Sequence, residues 1–178
     1  MAGLASMGPD ELQQRLRQFD RAVALLYPGQ LFRLVLVGGG AMMLLGYLTR
    51  PTSDLDALAF PSELVPLMAQ YDINGQVSAY GHNFAYHFED RLVAVEFEYK
   101  AVACFTASLE DLIASKLCSP RPQDAMDIRE PEVLTAVNWD RLAEVAEEMR
   151  LNMLNDQRYQ EFVFSYDAYR EECRPCDS

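Results

Sequence analysis

Asp54 and Asp56 are the residues of this chain most in need of a partner. They stand one residue apart in "TSDLDALAF", a run apolar enough to be a buried strand. Successive strand residues face opposite sides, so the two carboxylates share one face while Leu55 and Ala57 share the other. Like charges on one face repel each other and lose hydration, a cost that a metal ion removes. Two carboxylates at this spacing suit Mg²⁺, which takes oxygen ligands and bridges to phosphate oxygens. The plain alternative is an edge strand with acidic residues facing water. Upstream, Gly38-Gly39-Gly40 separates a strand-like run from a helix-like one, where backbone N–H groups can receive a phosphate. The same glycines also serve close packing. Arg50 lies between the two features. A glycine turn, a helix, a basic residue and T-x-D-x-D in that order form a much rarer constellation than any one of its parts.

The elements that must position these residues can be read from periodicity. Leu12, Leu16, Phe19, Val23 and Leu26 recur at helical spacing from Asp10 to about Tyr27, and Pro28-Gly29 ends that helix. "RLVLV", Arg33 to Val37, reads as a strand, and Ala41 to Leu48 as a compact helix after the glycine turn. A second strand is expected from Asp54 to Phe60, then a helix from Pro61-Ser62 to about Tyr71. "DINGQVSAYGHN" is loop-like, and two further strands are expected at Phe84 to Phe88 and Leu92 to Tyr99 around the turn "EDR". From Ser108 the chain turns helical, because "SLEDLIASKL" carries a serine cap with Asp111 three residues on. A short helix near Gln123 to Ile128 and two amphipathic ones, about Trp139 to Leu154 and Asp156 to Glu171, complete the order.

Composition narrows the class. The chain has 178 residues, half of them apolar and 11% aromatic, enough for a substantial core. The formal net charge of −12 gives no general attraction to nucleic acid, so any such contact has to come from a local basic patch. The most apolar window, Leu31 to Leu48, is interrupted by Arg33 and the glycines, which argues against a membrane span. The N-terminus lacks the pattern of a signal peptide, so cytoplasm is the expected compartment. Cys104 and Cys118 read as small core residues; Cys173 and Cys176 form one C-x-x-C, half a zinc site, in what reads as a flexible tail. His82 and His87 are spaced for no common metal face, and the alternation Phe84, Tyr86, Phe88 reads as sheet packing.

The segment "VGGGAM…RPTSDLD" resembles the opening of the polymerase-β-type nucleotidyltransferase superfamily. Within it the form is closer to the branch of AbiEii-type abortive-infection toxins and their uncharacterised relatives, which carry G-G-x-A…R-x-T-x-D-x-D and a later E-x-L-x-x-x-K-L…R-x-x-D-x-x-D-I/L. "LEDLIASKLCSPRPQDAMDI" supplies the second motif with Glu110, Leu112, Lys116, Leu117, Arg121, Asp124 and Asp127. The two motifs span about Leu34 to Ile128. The resemblance implies an α/β (α+β) nucleotidyltransferase fold, a small mixed sheet flanked by helices, with a helical C-terminal part. The expected division is an N-terminal helix over 1–29, the nucleotidyltransferase core over 30–118 and a helical region over 119–178.

It also implies site roles. Gly38 and Gly39 would line nucleotide phosphates, with Arg50 and Arg121 offsetting their charge, and Asp54 and Asp56 would bind Mg²⁺. Lys116 would approach the triphosphate or the acceptor, and Asp124 matches the aspartate essential in the toxin branch. The superfamily's third carboxylate has no aspartate match; Glu96 is the expected substitute, with Glu98 the alternative. Gln123 stands where the toxin branch has a basic residue. The implied reaction moves a nucleoside monophosphate from a nucleoside triphosphate to an acceptor, tRNA or a protein. A toxin role would add an antitoxin protein as partner. Two other readings stay open: a catalytically reduced nucleotide-binding module, and a small-molecule (antibiotic) nucleotidyltransferase.

Overall fold

"FRLVLV" forms strand β1 (Phe32–Val37), the middle of a five-stranded sheet in the computed structural model, which describes residues 6–175. Strand β2 (Leu55–Ala59) runs antiparallel to β1, with Val37 opposite Asp56 and a register shift between Val35 and Leu36. The two-residue strands β3 (Ile73–Asn74) and β4 (Val93–Ala94) and strand β5 (Val102–Thr106) complete the order β3-β2-β1-β5-β4. β5 lies parallel to β1, Phe32 opposite Val102, and β3 lies parallel to β2, Asn74 opposite Asp56. β2 is therefore an interior strand, not an edge. Leu34 to Val37 are buried, as a continuous apolar run between two paired neighbours should be.

Helix α1 (Pro9–Leu26) buries Leu12, Leu16, Phe19 and Val23, the stripe its spacing predicts. Helix α2 (Gly38–Leu44) follows β1 directly, so the glycines form its first turn rather than a loop ahead of it. The helix expected after Pro61 is broken into a 3₁₀ turn (Ser62–Leu64), α3 (Val65–Met68) and a second 3₁₀ turn (Ala69–Tyr71).

The chain divides into two compact units, the first comprising the residues up to Ala79 with Leu92–Ala107. The second comprises Tyr80–Arg91 and the residues from Ser108 on. It holds α4 (Leu109–Leu117), α5 (Pro122–Asp127), α6 (Pro131–Ala136), α7 (Trp139–Asn152) and α8 (Asp156–Cys173). Ser108, Asn138 and Asn155 cap α4, α7 and α8, each accepting a backbone N–H three residues on. Tyr169 is fully buried on α8, and its hydroxyl donates to the Ile128 carbonyl at 2.7 Å. No helix among the described residues is long and apolar enough to cross a membrane.

Two expectations about strands are corrected, and one strand was not expected. Phe84 to Phe88 is a turn, because the Phe84 and Phe88 rings meet 5.5 Å apart, an i, i+4 contact that an extended chain cannot make. Leu92 to Tyr99 forms strand only at Val93–Ala94, with one further backbone bond from Val95 N–H to the Cys104 carbonyl at 2.9 Å. The chain then leaves the sheet, and Asp20 of α1 accepts the backbone N–H groups of Lys100, Ala101 and Val102 at 2.8–3.0 Å. The strand that follows, β5, alternates in burial, but "VACFT" carries no polar–apolar alternation in sequence to announce it. Cys176, half of the C-x-x-C, lies outside the described residues.

Candidate functional site

Asp54 and Asp56 flank Leu55 at the start of β2. Leu55 and Ala57 are buried and the two carboxylates half-buried, so the faces divide as the alternation predicts, although Asp54 sits just ahead of the strand. Asp56 is oriented from β3: Asn74 Nδ2 donates to its Oδ1 at 3.0 Å, and Asn74 Oδ1 in turn accepts Gln76 N–H at 3.0 Å. A donated hydrogen bond of this kind holds a carboxylate in one rotamer.

Gly38 and Gly40 press against this strand, and Gly39 against Arg50. Gly38 has φ +73°, and a Cβ there would stand 2.7 Å from Asp56 Oδ2. A Cβ on Gly39 would stand 2.8 Å from Arg50 Nη2, and one on Gly40 2.9 Å from Leu55 Cδ2. Bare backbone is required at Gly38, whose φ is left-handed, while at Gly39 and Gly40 a Cβ would displace the ends of the Arg50 and Leu55 side chains. The sequence motif G-G-G…R…D-x-D is in this way a single cluster in space. Asp54 also lines a cavity of about 530 Å³ with an apolar side of Phe60, Met68 and Ile73 and polar groups from Asp72, Asn74 and Gln76.

Glu96 does not join them. It is exposed, past the end of β4 in irregular chain, and β1 and β5 separate β4 from β2. Glu98 is likewise exposed outside any strand. Among the described residues no group of three or more His, Cys, Asp or Glu is placed to hold a metal ion. The expected third carboxylate is absent from the site because the run that carries it pairs for two residues only. His82 and His87 give no metal face either: burial, then the charge of Arg158, lowers the His82 pKa, while His87 is exposed near Asp90.

The second motif falls in the other compact unit and makes its own charge cluster. Lys116 on α4 is buried, and its ammonium is paired with Asp124 Oδ1 and, at 2.8 Å, with Asp127 Oδ2. Asp124 Oδ2 accepts Ser119 Oγ at 2.6 Å, and Asp127 Oδ1 accepts Gln123 Nε2 at 2.9 Å. Burial raises the Asp124 pKa, but the hydrogen bonds from Lys116 and Ser119 and the charges of Lys116 and Arg121 outweigh it, so the group titrates below the ordinary range. Arg121 is exposed, 3.9 Å from Asp124. Lys116 is thus neither a solvent lysine nor a free cation; two carboxylates already hold it. Asp127, fully buried, is the residue to which the sequence reading gave no role, and its i+3 spacing from Asp124 was the available signal. A second such cluster stands at the start of α4, where Arg91 forks onto Asp111 through Nε and Nη2, both at 2.9 Å, and also binds Glu148.

A mixed sheet flanked by helices, with a glycine-rich helix start packed on a D-x-D strand, defines a nucleotidyltransferase-like protein. The chain belongs to the DUF6036 family, described as a nucleotidyltransferase of unknown function, which it matches over residues 14–174. No match to a curated protein or to a solved structure accompanies it.

Proposed function

We propose that this protein is a Mg²⁺-dependent nucleotidyltransferase that moves a nucleoside monophosphate from a nucleoside triphosphate to an acceptor, tRNA or a protein. The observation that carries the reading is the packing of Gly38 and Gly40 onto the segment that bears Asp54 and Asp56, with Arg50 against Gly39. The donor set fits the ion: Mg²⁺ is commonly held by one or two carboxylates plus substrate phosphates rather than by an all-protein cage, so Asp54 and Asp56 suffice without Glu96. The chemistry supplied by Mg²⁺ held there is neutralisation of charge on the transferring phosphoryl group and activation of the acceptor hydroxyl. Asn74 holds Asp56 in one rotamer, from which its other oxygen would ligate the ion. Gly38 and Gly39 leave backbone open to a close phosphate, and Arg50 offsets phosphate charge. In the second motif Lys116 and Asp124 form a buried ion pair, and Arg121, exposed beside Asp124, would offset phosphate charge. The AbiEii-like motifs support a toxin role in the cytoplasm, with an antitoxin protein as partner.

The test is incubation with each labelled nucleoside triphosphate, Mg²⁺ and total cellular RNA or protein, scoring which pool takes up label. Asp56→Asn keeps the oxygen that accepts from Asn74, so it should hold stability within about 1 kcal/mol and eliminate labelling. A second reading, a nucleotide-binding module that has lost catalysis, is favoured by the absence of a third carboxylate among the described residues. Mg²⁺-dependent nucleotide binding with no label in any pool would establish that reading instead.

A further inference from the structure

Most cations of this acidic chain are tied to carboxylates, as Arg15 is to Asp72, Arg129 to Glu172 and Arg150 to Asp156. Arg17, Arg21 and Lys100 are different. Among the described residues none of the three is in an ion pair, and all three are exposed around one cavity of about 900 Å³. Arg17 and Arg21 stand four apart on α1, a like-charge spacing that is unfavourable unless an anion lies between them. Lys100 is fixed opposite by Asp20, whose buried carboxylate accepts the N–H groups of Lys100, Ala101 and Val102. Phe97 and Tyr99 line the same cavity, their rings edge to face at 6.2 Å, and Tyr99 is 48% exposed. Glu98 is the other acidic group on the wall, and Asp20's charge is already engaged by backbone N–H groups.

We infer that this cavity is a nucleotide-binding site separate from the aspartate centre: Arg17, Arg21 and Lys100 take phosphate, and Tyr99 stacks on the base. Cations that track phosphate beside aromatic faces are how single-stranded nucleic acid and free nucleotides alike are held. The cavity lies by the Phe32–Val102 end of the β1–β5 pair, whereas Asp56 is opposite Val37 at the other end of β1. Five residue steps along β1 separate those ends by about 17 Å. A free mononucleotide held here is therefore out of reach of Asp54 and Asp56, while a strand of RNA could occupy both places. The chemistry recognised is the same in the two cases.

Binding is measured by calorimetry or anisotropy in EDTA, with ATP, with a short mixed-sequence single-stranded RNA, and with inorganic polyphosphate, which has no base. The inference predicts binding of ATP or of the RNA that falls at least tenfold in Arg17→Gln/Arg21→Gln and roughly tenfold in Tyr99→Ala, and is unchanged in Arg141→Gln, an exposed arginine of α7. For the RNA the slope of log K against log salt should be about −2, as three phosphate contacts give on a single strand, and about −0.7 in the double variant. ATP binding identifies a free nucleotide; binding of RNA alone identifies a strand. The inference is overturned if the parent binds neither, if the double variant binds as the parent does, or if polyphosphate equals both and Tyr99→Ala changes nothing. Because Mg²⁺ is withheld and no variant touches the aspartate centre, these outcomes are independent of whether the labelling reaction succeeds.

Discussion

Replacing Lys116 by alanine should unfold the helical unit before it affects any chemistry. The ammonium is the counterion of two carboxylates, Asp124 and Asp127, that are themselves buried. Removing one partner of a buried ion pair leaves uncompensated charge and costs about 3–5 kcal/mol. At this chain length each kcal/mol lowers Tm by about 2–4 °C, so a fall of about 6–20 °C is expected. Thermal melts followed by circular dichroism at pH 7 read it directly. The pH dependence gives an independent signature. In the parent, Asp124 titrates below its ordinary value, so its contribution is fully present above about pH 4 and is lost only as pH falls through the depressed folded value. In Lys116→Ala the two carboxylates are desolvated without a cation and their pKa values rise. Protonation then relieves the variant, and its deficit should narrow as pH is lowered from 8 towards 5. Lys116→Met combined with Asp124→Asn and Asp127→Asn removes all three charges and should recover most of the loss. A single Lys116→Ala variant that melts within about 2 °C of the parent at pH 7 would refute the buried-counterion reasoning.

Gly38→Ala should be costly for two separable reasons, the left-handed backbone and the close approach of Asp56 Oδ2. The backbone alone accounts for roughly 1–2 kcal/mol, and displacement of Asp56 should reduce nucleotide labelling more than the loss of stability explains; a variant as active as the parent would show that Gly38 does not set the aspartate's position. Burial pushes the thiols of Cys104 and Cys118 up to about 12, with Asp20 adding to the effect at Cys104 and Arg158 opposing it at Cys118. Both should therefore resist alkylation at pH 8 in the native protein and react only after denaturation, as thiolate is the reactive form; labelling at Cys104 under native conditions, read by peptide mass, would contradict this.

The sequence by itself determined the elements whose pattern is local. The α1 stripe, β1, the capped start of α4 and the two long C-terminal helices follow from spacing and caps that neighbours along the chain can satisfy. It also determined that Asp54 and Asp56 share a face, because strand geometry has a period of two. Only the tertiary structure decided the rest. β5 exists because β1 offers it a parallel edge, and β4 stops at two residues because its onward chain is drawn to Asp20, eighty residues away in sequence. That same diversion keeps Glu96 from the aspartates and sets Lys100 and Tyr99 beside α1. Lys116 looked like a phosphate-seeking cation from its motif, yet its ammonium is taken by Asp124 and Asp127. Periodicity specifies which face a side chain occupies; the charge it meets there depends on segments distant in the chain, and a charge's role is set by that partner.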